Sequence, residues 1–204
     1  MPIKFIANRN CIIFGPSGSG KTEFMLSVIR QKLVDPMPKN IYYMYNIELP
    51  FMRSWNEQEA LPIKFIKGLN FDELDTSEPS LLVIDDLVLS TNKSVAEMFI
   101  LGSHHRKVST FFLTQALFSN CDVFRLMSRN CHTFVIFHSQ RNFREVRTLA
   151  TQCFGGKDVN RIYNAYKRAS KRKYGNIVLN FDPDLPEEAT VVTDWWEVCP
   201  SVYL

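Results

Sequence analysis

A short segment near the start of the chain has the residue types and spacing that bind the phosphates of a nucleotide. It matches the pattern G-x-x-x-x-G-K-[ST] at every fixed position. Glycines let the backbone curl until successive N–H groups point inward at phosphate oxygens, and Lys21 would carry positive charge to the β- and γ-phosphates. The hydroxyl of Thr22 would bind Mg²⁺, so the segment predicts a site for ATP and Mg²⁺. This segment, the P-loop, consists of Gly15, Pro16, Ser17, Gly18, Ser19, Gly20, Lys21 and Thr22.

Two adjacent acids follow a second apolar run, Leu81–Ile84. Asp85, at the end of this predicted strand, would hold Mg²⁺ directly or through water. Asp86 would orient or deprotonate the attacking water. An Asp pair in isolation is more typical of a turn or a helix cap, and the P-loop is what favours the catalytic interpretation.

Hydrolysis also needs polar and positive groups around the transferred phosphate. Gln115 follows the apolar run 109–114 and would contact the γ-phosphate and the water. An arginine from an adjacent subunit often stabilises the transition state in such enzymes. Arg129, just before the apolar run 131–138, is the first candidate, and Arg106 and Arg141 are second choices.

Alternating strands and helices must position these groups. Short apolar runs predict strands at 11–14, 41–45, 63–66, 81–85, 109–114, 132–138, 176–180 and 190–192. Helical spacing predicts helices at 21–33, 93–104, 144–153 and 159–170, with Gly155 and Gly156 ending the third. Together with the P-loop, this order predicts the α/β fold of P-loop NTPases, a three-layer sandwich with a mainly parallel central sheet.

Bulk composition narrows the class of protein. A chain of 204 residues predicts a single domain over 1–204, with a tail at about 183–204 that packs on it or contacts another subunit. Its net charge of +3 neither requires nor excludes nucleic acid. No apolar run reaches the ~18 residues that span a bilayer, and the start of the chain lacks a secretory signal. An intracellular protein without a membrane span is therefore expected.

Several segments together resemble a known family. The order GPSGSGKT, LLVIDDL, GSHHRKVSTFFLTQ and LMSRNCHTFVIF is similar to that of poxvirus-type genome-packaging ATPases. These belong to the FtsK–HerA group of DNA-pumping motors, which also occur in large self-synthesising transposons and other double-stranded DNA viruses. The resemblance covers about residues 8–182, including the C-terminal part from Arg141 to Tyr174. Asp86 departs from the Glu usual at that position in the wider group.

This resemblance implies a function and a set of partners. It implies an ATP-hydrolysing motor that translocates double-stranded DNA and packages a viral or virus-like genome. It further implies a homo-oligomeric ring with nucleotide between neighbours, an arginine such as Arg129 acting in trans, and capsid or portal-vertex proteins as partners. Its place would be the host cytoplasm or nucleus where virions assemble, with transient attachment to a capsid vertex.

A DNA motor needs contacts to backbone phosphates that do not depend on base sequence. The densest group of positive charges is a set we name the basic cluster: Lys167, Arg168, Lys171, Arg172 and Lys173. Its alternative interpretation is a basic helix end favoured by the helix dipole. The polar segment 56–60 and the loop 90–94 are further candidates for DNA-contacting loops.

Two other nucleotide-dependent classes remain as alternatives. A small-molecule kinase of the nucleoside monophosphate type suits the length and the N-terminal P-loop, although no arginine-rich lid is evident. A GTPase is a weaker alternative, because the stretch Asn92-Lys93-Ser94-Val95 lacks the Asp of the guanine-specific loop.

Overall fold

A central sheet connects almost every element of the chain. The computed structural model describes residues 4–87, 93–105, 107–115, 122–139, 143–186, 189–193 and 201–202. The strands are β1 Phe5–Ile6, β2 Cys11–Phe14, β3 Val34–Asp35, β4 Asn40–Tyr45, β5 Lys64–Lys67, β6 Ser80–Asp85, β7 Val108–Thr114, β8 Thr133–Phe137, β9 Asn176–Asn180, β10 Val191–Thr193 and β11 Ser201–Val202. The α-helices are α1 Lys21–Arg30, α2 Phe51–Gln58, α3 Lys93–His105, α4 Asp122–Arg129 and α5 Phe143–Ala169.

The strand order of the sheet decides which loops meet. Among the described residues it has nine strands in the order β11-β10-β9-β8-β2-β7-β6-β4-β5. Neighbouring strands run parallel throughout the part β8-β2-β7-β6-β4-β5. In contrast, β9, β10 and β11 each run antiparallel to their neighbours. The loops that leave β2, β6 and β7 therefore emerge at one edge, which we call the carboxyl edge.

Helices cover both faces of this sheet. Because successive side chains of a strand point to opposite faces, Ile12 and Phe14 belong to one buried cluster and Cys11 and Ile13 to the other. The first cluster packs against α3, α4 and α5, and the second against α1 and α2. Two covered faces explain the continuous apolar strands, and the predicted α/β sandwich with a mainly parallel sheet is confirmed.

One helix prediction is wrong. Gly155 and Gly156 do not end a helix, because α5 continues from Phe143 to Ala169. A glycine inside a helix costs about 1 kcal/mol relative to alanine. Side chains on both sides of the pair, such as Leu149 and Ile162, are buried in the same core, so packing outweighs the local penalty.

The segment 56–60 is only partly a loop, because residues 56–58 belong to α2 and residues 59–60 follow it. Asn56 lies in α2, where its side chain donates to the carbonyl of Ile63 at 3.1 Å and accepts from the N–H of Ile63 at 2.8 Å. These bonds fix the chain before β5. Residues 90–92 of the other candidate loop lie outside the described residues, and α3 begins at Lys93.

The helices carry one further observation. Within the described parts of the chain, none combines the length and the apolar character that crossing a membrane requires.

Candidate functional site

The parallel strands bring distant residues to one place. Gly15 follows β2, Asp86 follows β6 and Gln115 follows β7, and these strands are neighbours in the sheet. Phe14 pairs with Thr114, and Leu113 pairs with Asp85. The groups predicted from separate segments therefore converge at the carboxyl edge, where open α/β sheets bind their ligands.

Glycine is required in the P-loop for two different reasons. Gly18 and Gly20 have φ angles of +73° and +99°, which side chains of L-residues rarely adopt. A Cβ on Gly15 would lie 2.6 Å from Ser19 Oγ and 2.7 Å from Phe137 Cβ. The N–H of Gly15 also donates to the carbonyl of Thr114 at 3.2 Å, which ties the loop to β7.

The lysine of the P-loop lies inside the loop. Lys21 is 9% exposed, and its Nζ donates to the carbonyls of Gly15 at 2.8 Å and Pro16 at 3.0 Å. Burial lowers its pKa, and the charges of Asp85 and Asp86 oppose this shift. Phosphate oxygens would be stronger acceptors than these carbonyls, because hydrogen bonds between charged groups are stronger than those to neutral ones.

Asp85 lies beside the P-loop threonine. Its Oδ2 accepts from Thr22 Oγ1 at 3.3 Å and from the Tyr43 hydroxyl at 2.5 Å. Burial raises the pKa of Asp85, while the hydrogen bonds from Tyr43 and Thr22 and the charge of Lys21 lower it. The carboxylate is thus buried without a full counter-charge, as expected of a group that binds a cation.

Tyr43 is a residue of the candidate site that sequence reasoning missed. It is completely buried, and burial together with Asp85 raises the pKa of its phenol, so the hydroxyl stays a donor. Tyr43 pairs with Val83, two residues before Asp85, so Tyr43 and Asp85 share a face of the sheet. Only the pairing of β4 with β6 reveals this neighbour.

Asp86 and Gln115 form the exposed part of the site. Gln115 Nε2 donates to Asp86 Oδ1 at 3.1 Å. Asp86 has a φ of +53°, an uncommon conformation for a residue with a side chain, and such strain is frequent at functional sites. The contact holds the second acid next to the amide, as a pair that positions a water would require.

A cavity of about 740 Å³ opens above these groups. Residues 17–22 of the P-loop, further side chains of α1, both acids and Gln115 border it, and it extends to Ile47 after β4 and to Tyr174 before β9. Its volume is that of a site for a small ligand or cofactor. Ser19 Oγ is buried here and has no hydrogen-bond partner within the described parts of the chain. An acceptor-rich ligand such as a triphosphate fits this unsatisfied hydroxyl and the buried Lys21.

The predicted arginine lies elsewhere in the molecule. Arg129 is the exposed last residue of α4, shortly before β8 begins. Because β8 is parallel to β2, Arg129 lies at the edge of the sheet opposite the P-loop. Arg106 and Arg141 lie outside the described residues.

The basic cluster lies at the carboxyl edge. Lys167 and Arg168 end α5, and Lys171, Arg172 and Lys173 form the turn before β9, all of them exposed. Asn176, at the start of β9, pairs with Phe137, at the end of β8. The turn therefore lies on the same edge as the cavity.

Among the comparisons with known proteins, the one with solved structures gives matches. No family model and no curated protein sequence matches this chain. The structure is similar to that of B204, the DNA-packaging ATPase from Sulfolobus Turreted Icosahedral Virus, with a TM-score of 0.56 and 8% identity over 97% of this chain and 98% of that chain.

The genome packaging NTPase B204 from Sulfolobus turreted icosahedral virus 2 is also similar. Its complex with ATP-gammaS has a TM-score of 0.53 and 9% identity over 96% of both chains, and its complex with AMPPCP has the same TM-score and identity over 100% of this chain and 98% of that chain. At this identity the similarity shows the fold, and the predicted P-loop NTPase fold class is confirmed.

Proposed function

We propose that this protein is an ATP-hydrolysing motor that translocates double-stranded DNA and packages a viral or virus-like genome into a capsid. The observation that carries the proposal is the Thr22 hydroxyl facing the buried Asp85 carboxylate at 3.3 Å, below a cavity bordered by the P-loop. A hydroxyl and a carboxylate beside a phosphate-binding loop are the protein ligands of Mg²⁺ in ATPases of this kind.

Each P-loop group has a role in this proposal. The backbone N–H groups of Gly18 to Thr22 and the ammonium of Lys21 bind the β- and γ-phosphates. Thr22 Oγ1 and Asp85 are the groups that would hold Mg²⁺. When bound, Mg²⁺ neutralises charge on the phosphate oxygens. The buried position of Lys21 strengthens its attraction for phosphate, because little water screens it.

The exposed pair directs the water. Asp86 accepts a proton from the attacking water or orients it, and Gln115 contacts both the water and the γ-phosphate. Their 3.1 Å contact supports this assignment because the two side chains have to serve one small molecule. Asp reaches one methylene less far than Glu, and the positive φ of Asp86 changes the direction in which the shorter side chain leaves the backbone.

The position of Arg129 supports the proposal of an oligomeric ring. Arg129 lies at the far edge of the sheet from its own P-loop, so only the P-loop of a neighbouring subunit is within its reach. We therefore include in the proposal a homo-oligomeric ring in which Arg129 acts in trans. This arrangement is the one implied by the resemblance to FtsK–HerA motors.

The solved structures support the packaging role. The B204 proteins are described as genome-packaging NTPases, and the similarity extends over nearly the whole of both chains. We extend their nucleotide and DNA partners to this chain as part of the proposal. It also includes a single ATPase domain over 1–204 with a packing tail at about 183–204, capsid or portal partners, and action inside the host cell where virions assemble.

Turnover measurements test the proposal. Phosphate release from ATP is measured with Mg²⁺, with and without double-stranded DNA, at several salt concentrations. A motor hydrolyses ATP without an added acceptor, and DNA stimulates it less as salt increases. Transfer of the γ-phosphate to a nucleoside monophosphate would instead assign the chain to the kinases, and an absence of turnover with either would overturn both functions.

The basic cluster is tested by measuring double-stranded DNA binding at several salt concentrations. We expect Lys167→Gln combined with Lys171→Gln to weaken double-stranded DNA binding and to reduce the slope of log K against log salt by about 2, since each phosphate contact contributes about 0.9. The matched control is Lys39→Gln with Lys107→Gln, which removes two exposed charges at the opposite edge. Equal salt slopes for the two double variants would contradict the assignment.

A further inference from the structure

One aromatic side chain beside the P-loop has no role in the site as described so far. Tyr174 is 51% exposed and borders the 740 Å³ cavity. A Cβ on Gly20 would lie 3.2 Å from Tyr174 Cδ1 and 3.4 Å from its Cγ, so the ring lies against the P-loop backbone. A large exposed ring at the wall of a ligand cavity is available to bind an apolar surface.

The backbone holds this ring in an unusual conformation. Tyr174 has a φ of +62°, which costs free energy in a residue with a Cβ. The turn is anchored on both sides, because Gly175 N–H donates to the carbonyl of Arg172 at 3.1 Å and His138 N–H donates to that of Gly175 at 3.0 Å. The ring is therefore presented from a fixed turn that joins α5, β9 and the end of β8.

The order of strands indicates what the ring meets. Asp85, Asp86 and Gln115 lie on the β6 and β7 side of the P-loop strand β2, so the hydrolysed γ-phosphate belongs on that side. The nucleoside end of the triphosphate then leaves the P-loop on the opposite side, toward β8 and β9. Tyr174, two residues before the start of β9, is on that side, whereas Ile47 borders the cavity on the far side, after β4.

We infer that Tyr174 is the nucleobase contact of this site and that it binds ATP by stacking its ring on the purine. The inference rests on the proposed ATPase function and adds a residue that determines affinity for the nucleoside. Lys173 Nζ lies 5.0 Å from the ring centroid and, being exposed and flexible, gives way to the base or moves toward the phosphates. Stacking uses the π-face of any purine, so the ring distinguishes a nucleotide from bare phosphate rather than one purine from another.

Two ligands separate stacking from phosphate binding. Calorimetric titrations with Mg²⁺ compare AMPPCP with inorganic tripolyphosphate, which occupies the P-loop without a base. We expect Tyr174→Ala to weaken AMPPCP binding by about 5- to 150-fold, the range of aromatic–base stacking, and to leave tripolyphosphate affinity unchanged. Tyr174→Phe and Tyr174→Trp keep a ring and should bind AMPPCP as the wild type does.

Ile47→Ala is the matched control, because Ile47 is exposed and borders the other end of the same cavity. Equal loss of both ligands in Tyr174→Ala would make Tyr174 a support of the P-loop and overturn the inference. Unchanged AMPPCP binding in Tyr174→Ala, or weaker binding in Ile47→Ala instead, would also overturn it. If the wild-type protein binds tripolyphosphate as tightly as AMPPCP, the inference about Tyr174 is overturned and the ATPase proposal stands. If the wild-type protein binds neither ligand, the ATPase proposal is overturned and the inference with it.

Discussion

Lys21 and Asp85 are both buried, and burial disfavours the charged form of each. Burial lowers the pKa of Lys21 and raises that of Asp85. A triphosphate and Mg²⁺ would supply the opposite charge that each lacks, so the free site is arranged for a ligand rather than for its own stability. Tyr43 and Thr22 offset part of this cost through their hydrogen bonds to Asp85.

The role of Lys21 gives the first prediction. Lys21→Ala should weaken AMPPCP binding by about 10- to 150-fold, the range of hydrogen bonds to charged groups, because it removes the ammonium that binds the phosphates. The fold should survive, since the substitution also removes a buried charge. Calorimetry measures the affinity and circular dichroism the fold, with Lys39→Ala as a control. Unchanged affinity would mean that the P-loop is not the site.

Tyr43 gives a prediction on pH. Its hydroxyl donates to the Asp85 carboxylate and lowers the Asp85 pKa, so Tyr43→Phe should raise that pKa further. Because the charged carboxylate is the proposed ligand of Mg²⁺, the acid limb of the turnover profile should move to higher pH, and the apparent Mg²⁺ affinity should fall by about fivefold, the value of one hydrogen bond.

Tyr42→Phe is the control for this experiment, because the Tyr42 hydroxyl accepts from the N–H of Asp75 at 3.0 Å and lies in the same strand. Tyr42→Phe also removes a phenol oxygen, but from the other face of the sheet. An acid limb that moves equally in both variants, or in neither, would remove Tyr43 from the positioning of Asp85.

At the scale of elements, the site depends on how loops are tied to strand ends. The P-loop is bonded to the end of β7, and the turn between α5 and β9 is bonded to the residue after β8. Both anchors lie at the carboxyl edge and hold backbone that the loop sequences alone would leave free. The continuity of α5 through two glycines matters here, because α5 delivers the turn that carries Tyr174 and most of the basic cluster.

This turn has no room for a larger residue. A Cβ on Gly175 would lie 1.9 Å from the carbonyl oxygen of Ala169, which is backbone and cannot rotate away. We expect Gly175→Ala to lower the free energy of unfolding by about 1–3 kcal/mol, the usual cost of overpacking, as measured by urea denaturation.

Gly102→Ala in α3 is the comparison, because its Cβ would meet the flexible Met98 side chain at 3.3 Å and the helix gains propensity. It should be close to neutral. Equal stabilities of Gly175→Ala and the wild type would show that the turn shifts freely, and the fixed presentation of Tyr174 would then lose its basis.

At the scale of the whole molecule, positive charge is divided between two edges of the sheet. The basic cluster shares the carboxyl edge with the cavity, so nucleotide state and DNA contact are coupled through one turn in the proposed motor. Arg129 is at the opposite edge. In the proposed ring, Arg129 of one subunit would complete the site of its neighbour rather than its own, so hydrolysis would require assembly.

Mixing two variants tests whether Arg129 acts at the P-loop of a neighbouring subunit. Arg129→Ala should lower turnover about a thousandfold or more with little effect on AMPPCP binding, because a trans arginine stabilises only the transition state. Mixing it with Lys21→Ala should restore part of the turnover, since some interfaces then combine an intact P-loop with an intact Arg129. Arg125→Ala, one turn earlier on α4 and paired with Asp122 at 3.2 Å, is the control. Full turnover of Arg129→Ala alone would exclude this arginine.

Much of the candidate site can be predicted from the amino-acid sequence alone. The P-loop is contiguous, and Asp85, Asp86 and Gln115 directly follow apolar runs, so one rule about parallel strands predicted their edge. The strands β2 and β9 begin and end where the apolar runs predicted, and every residue of both is buried. Local pattern therefore predicted the fold class and the edge at which these residues meet, while their roles in phosphate and metal binding stay predictions.

Other features depend on contacts between residues far apart in the chain, which no local pattern encodes. Tyr43 reaches Asp85 only because β4 pairs with β6, and Tyr174 reaches Gly20 only because β9 returns antiparallel beside β8. Core packing on both halves of α5 overcame the helix-breaking tendency of Gly155 and Gly156. The physical reason is the same in each case: the free energy of burying side chains across the sheet exceeds the local preferences of a few residues.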